Sequence, residues 1–207
     1  MSAAPIPSIT RGVALMILAI FLFTAMDATA KGLIERYPAP QVIWVRFAGQ
    51  LVLVLLILRH HLGPVLRTRF PVLHFWRSAS QFGATTFFFL SLPYIGLAEA
   101  TAIADINPVL ITLGAALFLG ERLGPRRVAG VAVALIGALM VIRPGAGVFT
   151  WWALLPLCCA LSYAASALLT RKIGTQESVW ASMIYAALCG SIVAGGALPF
   201  VWEPVAT

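Results

Sequence analysis

Seven stretches of this sequence are apolar over the length that an α-helix needs to cross a lipid bilayer, roughly 20 residues. Backbone polar groups in hydrocarbon must be bonded within the chain, so continuous apolar runs of this length predict helices. The chain is 61% hydrophobic and 10% charged, whereas soluble domains carry about 25% charged residues. We therefore predict an all-α polytopic membrane protein with seven transmembrane helices. The predicted spans are 12–33, 40–58, 74–95, 97–119, 125–143, 150–170 and 178–201.

Basic residues between the spans predict the orientation of the chain. With the N-terminus in the cytoplasm, ten Lys and Arg residues fall inside and three fall outside, which agrees with the excess of positive charge in cytoplasmic loops. The ten are Arg11, Arg59, Arg67, Arg69, Arg77, Arg122, Arg126, Arg127, Arg171 and Lys172, and the three are Lys31, Arg36 and Arg143. The formal charge of +7 is then a property of these loops, and no nucleic-acid partner is predicted.

The first apolar stretch also resembles a cleavable signal peptide, with Arg11 before it and a short triplet at Ala28–Ala30. Asp27 stands directly before that candidate cleavage site, and the rest of the chain is polytopic. We therefore expect the first helix to be retained.

A weak internal repeat divides the chain. Residues from Val13 align with residues from Trp152, and Gly49 aligns with Gly190 once two residues are inserted. Five predicted spans precede the second copy, and because five is odd this copy enters the membrane inverted, as in many secondary transporters. We expect a complete five-helix repeat in 1–145 and two helices of an inverted second repeat in 146–207. The chain would then be a fragment or a truncated product.

Two charged residues are predicted at one depth of the first two spans. Asp27 and Arg46 each lie roughly 9 Å inward from the outer end of their helix, at about 1.5 Å per residue. An unpaired charge at the centre of a span costs about 2.5–3.5 kcal/mol, so we predict that these two residues pair. The alternative is that Asp27 pairs with Lys31, one turn later.

The fourth span contains Asp105, Asn107 and Pro108 within four residues. Thr101, Asp105 and Pro108 follow i, i+4, i+7 spacing, which predicts one polar face. Pro108 has no N–H to donate to the Ala104 carbonyl, and broken backbone at this depth is tolerated only against protein or water. We predict that this span forms one wall of a cavity. A structural kink, with Asp105 bonded to a neighbouring helix, is the alternative.

Two glutamines extend the predicted cavity. Gln50 lies one turn from Arg46 on the same face, and Gln81 begins a polar stripe on the third span. The complete predicted cavity-lining set is Asp27, Arg46, Gln50, Gln81, Thr101, Asp105, Asn107 and Pro108.

No catalytic residue, metal site or cofactor is predicted. The histidines, His60, His61 and His74, all fall in one predicted cytoplasmic loop, and no nucleophile has a base nearby in the sequence. The cysteines lie in apolar stretches without metal-ligand spacing. The fifth span carries Gly130, Ala134 and Gly137 on one face, which predicts close helix packing or a dimer.

The chain resembles the drug/metabolite transporter superfamily with EamA-type repeats. The resemblance is carried by "MDATAKGLIERYPAPQVIWVRF" and by "AEATAIADINPVLITLGAALFLGERLGPRRVAGVAVALIGALMVIRPG". It implies two inverted five-helix repeats around a central cavity, with the fifth helix peripheral, in a bacterial cytoplasmic (inner) membrane. It also implies a secondary transporter that moves small metabolites by alternating access between the repeats.

The resemblance leaves several functions open. Vitamin or S-adenosylmethionine uptake and metabolite or drug export share this pattern, and a protonatable Asp105 could couple transport to H⁺. A truncated, non-transporting membrane module is an alternative, and a membrane-embedded enzyme is a further one.

Overall fold

The computed structural model describes residues 9–59, 62–66, 68–121, 123–142, 151–174 and 177–201, and these residues are helical with short connections and no strands. The long helices are α1 (Ile9–Ile34), α2 (Ala39–Leu58), α4 (Pro71–Ser91), α7 (Pro125–Ile142), α8 (Leu154–Ile173) and α9 (Val179–Val201). A short α3 (Leu62–Leu66) precedes α4, and a 3₁₀ turn (Trp151–Ala153) leads into α8. The fourth predicted span is divided into α5 (Leu97–Ala104) and α6 (Asn107–Leu119).

All seven predicted helical segments are confirmed, because α5 and α6 together cover the fourth. Five segments in the described part of the chain are long and apolar enough to cross a membrane: Arg11–Ile34, Ala39–Leu58, Leu97–Leu119, Trp151–Ile173 and Val179–Phe200. Prolines at the first positions of α2, α4 and α6 and a left-handed Gly120 after α6 set several of the helix ends. The orientation and the repeat organisation stay predictions.

Helices from the two halves of the sequence pack on one another. The most extensive contacts join α4 to α8 and α2 to α9, and α6 also packs on α8. Phe47, Phe89 and Leu92 are buried between these helices. Helix α2 therefore depends on the second half of the chain for its largest contact.

The surface of the bundle is apolar, as expected for helices in lipid. Helix α1 packs only lightly, and its side chains from residue 11 to residue 25 are exposed. Helix α7 packs on α5 and α6 and leaves Val133 and Met140 exposed. No other side chain comes within 4 Å of an added Cβ at Gly130 or Gly137, so the dimer predicted through this helix stays a prediction.

Candidate functional site

Two of the cavities in the described part of the chain lie between the long helices. The first, which we call the polar cavity, has a volume of about 550 Å³ and lies between α1, α2, α4, α5 and α8. Its polar lining consists of Thr24, Asp27, Arg46, Gln81, Thr85, Thr101, Asp105, Cys159 and Tyr163. A volume of this size suits a small metabolite.

The polar cavity brings together five of the eight residues predicted to line a site. Asp27, Arg46, Gln81, Thr101 and Asp105 come from four helical segments that are distant in sequence. Their part in binding stays a prediction, but their shared location is a structural fact. The charges that the sequence carries inside its spans therefore meet in one place.

No ion pair links the charges of the polar cavity in the described part of the chain. Asp27 and Arg46 interact electrostatically, but no nitrogen–oxygen distance of 4.0 Å or less joins them. The Arg46 guanidinium carbon instead lies 5.2 Å from the centre of the Phe89 ring, a cation–π contact. Lys31 donates to the Leu92 carbonyl. Asp27 therefore forms no direct ion pair with either Arg46 or Lys31.

The break in the fourth span lies beside the polar cavity, as Pro108 predicted. Helix α5 ends at Ala104, where the Asp105 N–H still donates to the Thr101 carbonyl at 2.8 Å. Helix α6 then begins at Asn107. Asp105 occupies the turn between the two helices, and its carboxylate is exposed to the cavity without a hydrogen bond or ion pair among the described residues.

Three predicted residues do not line the polar cavity, and their part in a substrate site stays a prediction. Asn107 and Pro108 start the new helix α6, so the polar face extrapolated through α5 ends at the break. The Asn107 Oδ1 is buried without a hydrogen-bond partner in the described structure. Gln50 lines the second cavity instead.

The second cavity, which we call the apolar cavity, has a volume of about 840 Å³ and lies between α1, α2 and α9. Phe23, Met26 and Arg46 line both cavities and so stand at the boundary between them. Apart from Arg46, Gln50 and Thr29, the side chains around the apolar cavity are hydrophobic or aromatic. Arg46 is the charged group at that boundary.

Helix α8 supplies a polar stripe that was not among the predicted site residues. Cys159 and Tyr163 line the polar cavity, and the Ser166 hydroxyl donates to the Gln81 Oε1 at 3.2 Å. One turn further, the Thr170 hydroxyl accepts from the Arg77 Nε at 2.8 Å. These four α8 residues follow i, i+4, i+7, i+11 spacing. That spacing is the sequence signal that could have identified them.

A second polar cluster joins the turn before α4 to the start of α9. The Glu177 Oε1 accepts from the Thr68 hydroxyl at 2.9 Å and from the Arg69 N–H at 2.7 Å. The Glu177 Oε2 lies 3.9 Å from the His74 Nε2, and the His74 ring stacks on Tyr185. His74 is 0% exposed in α4, so its predicted place in a solvated loop is wrong. The burial of His74 depends on α9, which is distant from His74 in the sequence.

This cluster predicts a pH-dependent contribution to stability. The Arg69 N–H, assisted by the Thr68 hydroxyl, holds the pKa of the Glu177 carboxyl below its usual value of 4.5. A lowered folded-state pKa means that the carboxylate stabilises the folded protein above pH 4.5, and that this contribution is lost as the pH falls through the lowered pKa. Glu177→Gln is therefore expected to lower the Tm by a few degrees at pH 7 and by much less below pH 4.

The matched control for this prediction is Glu35→Gln, because Glu35 is exposed and has no ion pair or hydrogen bond in the described structure. Thermal unfolding of both purified variants at pH 7 and below pH 4 checks the prediction. An equal loss of Tm at both pH values for Glu177→Gln would contradict it.

The helices and the charged cavity define the class of this protein: a multi-pass α-helical membrane protein with a polar internal site, the arrangement that membrane carriers use. The model of the EamA-like transporter family matches residues 10–143. The chain belongs to this family.

Three similar proteins are 24% to 28% identical to this chain over the aligned residues. A riboflavin transporter of Rhizobium johnstonii is 28% identical over 89% of this chain and 64% of its own length. The pseudopaline exporter CntI of Pseudomonas aeruginosa is 28% identical over 93% of this chain and 66% of its own length. An S-adenosylmethionine uptake transporter of Rickettsia bellii is 24% identical over 92% of this chain and 66% of its own length.

The fold is also shared with a solved crystal structure, with a TM-score of 0.62 and 23% identity. That match covers 89% of this chain and 64% of the solved chain. The chain thus spans about two thirds of the length of the relatives it matches.

Proposed function

We propose that the protein is a secondary carrier that moves small metabolites across a bacterial cytoplasmic membrane, with the polar cavity as its substrate site. Alternating access would proceed by movement between the two halves of the chain. These halves contact each other where α2 packs on α9 and α4 packs on α8 and α9. Relatives with similar sequence include an S-adenosylmethionine uptake transporter and a pseudopaline exporter, so the direction of transport stays open.

The observation that supports this proposal best is the meeting of Asp27, Arg46 and Asp105 in one cavity. Charged residues within membrane spans are costly and usually mark a substrate or ion pathway. Here Asp27 lies on α1, Arg46 lies on α2 and Asp105 lies in the turn after α5, and all three face one space of metabolite size. A purely structural role would favour direct ion pairs, and none is present among the described side chains of this cavity.

The other functions considered have less support. A membrane-embedded enzyme is disfavoured because the matched family is a transporter family. A non-transporting module would not account for a cavity lined by uncompensated charges. The proposal also includes transport of a small metabolite, coupling of this transport to H⁺ and assembly of copies of the chain through α7.

Asp105→Asn in the full-length protein tests both the site and the coupling. We expect flux into proteoliposomes to fall at least about tenfold, since removal of one charge partner costs roughly 1.5–3 kcal/mol. We also expect the residual flux to lose its dependence on pH. Metabolite uptake and counterflow at several pH values provide the measurement.

Glu99→Gln is the matched control, because Glu99 is exposed in the first turn of α5 and does not line the polar cavity. We expect it to transport like the unmodified protein. Unchanged flux in Asp105→Asn would exclude the proposed site, and an unchanged pH profile would exclude proton coupling through Asp105.

A further inference from the structure

The charges of the polar cavity are unequally compensated. Arg46 interacts electrostatically with Asp27 and stacks on Phe89. The Asp105 carboxylate has no hydrogen bond, ion pair or charge interaction with another described residue. The polar cavity therefore contains two acids. Arg46 partly balances the charge of Asp27, and no described side chain balances the charge of Asp105.

The formal charge of this cavity is negative. Two carboxylates and one guanidinium sum to −1 when all three are ionised, because the other polar lining groups are neutral amide, hydroxyl or thiol groups. A carboxylate that lines a cavity without a partner of its own favours a ligand group of opposite charge. The partner that this arrangement lacks is a cationic group at Asp105.

The lining also offers contacts for the rest of a ligand. Phe23, Phe88 and Tyr163 line the same space, and aromatic faces attract organic cations. Arg46 is not engaged in an ion pair in the described structure, and its planar guanidinium suits a carboxylate. The Gln81 Oε1 accepts a hydrogen bond from the Ser166 hydroxyl. The amide N–H groups of Gln81 can then act as donors to a ligand.

We propose, on the basis of the transport function proposed above, that the polar cavity takes an amphoteric metabolite of net positive charge. Its cationic group binds Asp105 and its carboxylate binds Arg46. A neutral vitamin or a dicarboxylate lacks the positive charge that would balance Asp105. The charge class of the substrate is thereby set by Arg46 on α2 and by Asp105 in the turn after α5.

S-adenosylmethionine and two close analogues are suitable probes because they differ in these charges. S-adenosylhomocysteine lacks the positive sulfonium charge, and decarboxylated S-adenosylmethionine lacks the carboxylate. Riboflavin supplies a neutral probe. Thermal stabilisation of the purified full-length protein gives apparent affinities, and counterflow in proteoliposomes tests transport of each probe.

We expect S-adenosylmethionine to bind about tenfold more tightly than either analogue and more tightly than riboflavin. The Asp105→Asn variant should bind S-adenosylmethionine and S-adenosylhomocysteine with about equal affinity. It should still bind S-adenosylmethionine more tightly than the decarboxylated analogue. Arg46→Gln should lose the preference over the decarboxylated analogue and keep the preference over S-adenosylhomocysteine. Glu99→Gln should keep both preferences.

Each result decides between the proposals. Tighter binding of riboflavin, no binding of S-adenosylmethionine, or charge variants that leave both ratios unchanged would overturn the inference about charge class. Counterflow of riboflavin without counterflow of S-adenosylmethionine would overturn it while the transport function stands. An absence of flux with every probe would overturn the transport function itself.

Discussion

Gly190→Leu is expected to leave little correctly packed protein. Gly190 lies in α9 where α2 crosses it, and a Cβ added at this position would overlap the Phe47 ring. Phe47 is only 2% exposed and lies against Phe82, with ring centres 5.5 Å apart, so the ring has no free space behind it. Overpacking a core costs about 1–3 kcal/mol and sometimes more. At a close crossing of two helices we expect the upper end of that range.

The yield of monodisperse protein in mild detergent and its Tm measure this effect. Gly196→Leu is the matched control, because Gly196 is in the same helix and an added Cβ meets nothing within 4 Å. A second variant, Gly190→Leu with Phe47→Ala, removes the ring from the overlap and should recover part of the lost yield. A normal elution profile and Tm for Gly190→Leu alone would show that α2 and α9 do not pack as described.

The helices of this protein follow from the sequence because an apolar run in lipid has few alternatives. Continuous apolarity identified all seven helical segments, and Pro108 identified the break in the fourth. The depth of Asp27, Arg46 and Asp105 along their helices predicted a shared site, and all three line the polar cavity, while their part in binding stays a prediction. Each of these predictions depends on local properties: composition, rise per residue and the missing N–H of proline.

The residues that lie elsewhere than expected depend on features beyond local spacing. Pro108 was assigned to the cavity because helical spacing was carried across a break that resets it, and Asn107 because it stands beside Pro108. His74 was assigned to solvent because its covering residues, Tyr185 and Glu177, lie more than 100 positions later. A single sequence contains no direct measure of such contacts.

The α8 stripe was missed for a different reason. Cys159, Tyr163 and Ser166 were not considered as one helical face, although their spacing matches that of the polar face identified on the fourth span. The same rule applied to both helices would have added them to the cavity. In this case the sequence contained the signal.

Arg46→Glu is expected to abolish transport and lower the Tm, because it changes the balance of charge at the boundary of both cavities. The variant places a third carboxylate beside Asp27, removes the cation–π contact with Phe89 and leaves the polar cavity without a cation. An uncompensated charge at this depth costs about 2.5–3.5 kcal/mol, and repulsion between like charges adds to it. We expect flux to fall below about 1% of the unmodified protein at equal protein in the membrane.

Two further variants separate charge from shape in this prediction. Arg46→Lys keeps the charge and loses the planar stacking on Phe89, so we expect it to fold and to retain part of the flux. Asp27→Lys added to Arg46→Glu restores one cation next to one anion and should recover the Tm more than the flux, because the cation no longer stands at the boundary of the two cavities. Flux and Tm are measured in parallel for all three. If Arg46→Glu transported normally, Arg46 would be a structural residue, and the charge of the polar cavity would not select the substrate.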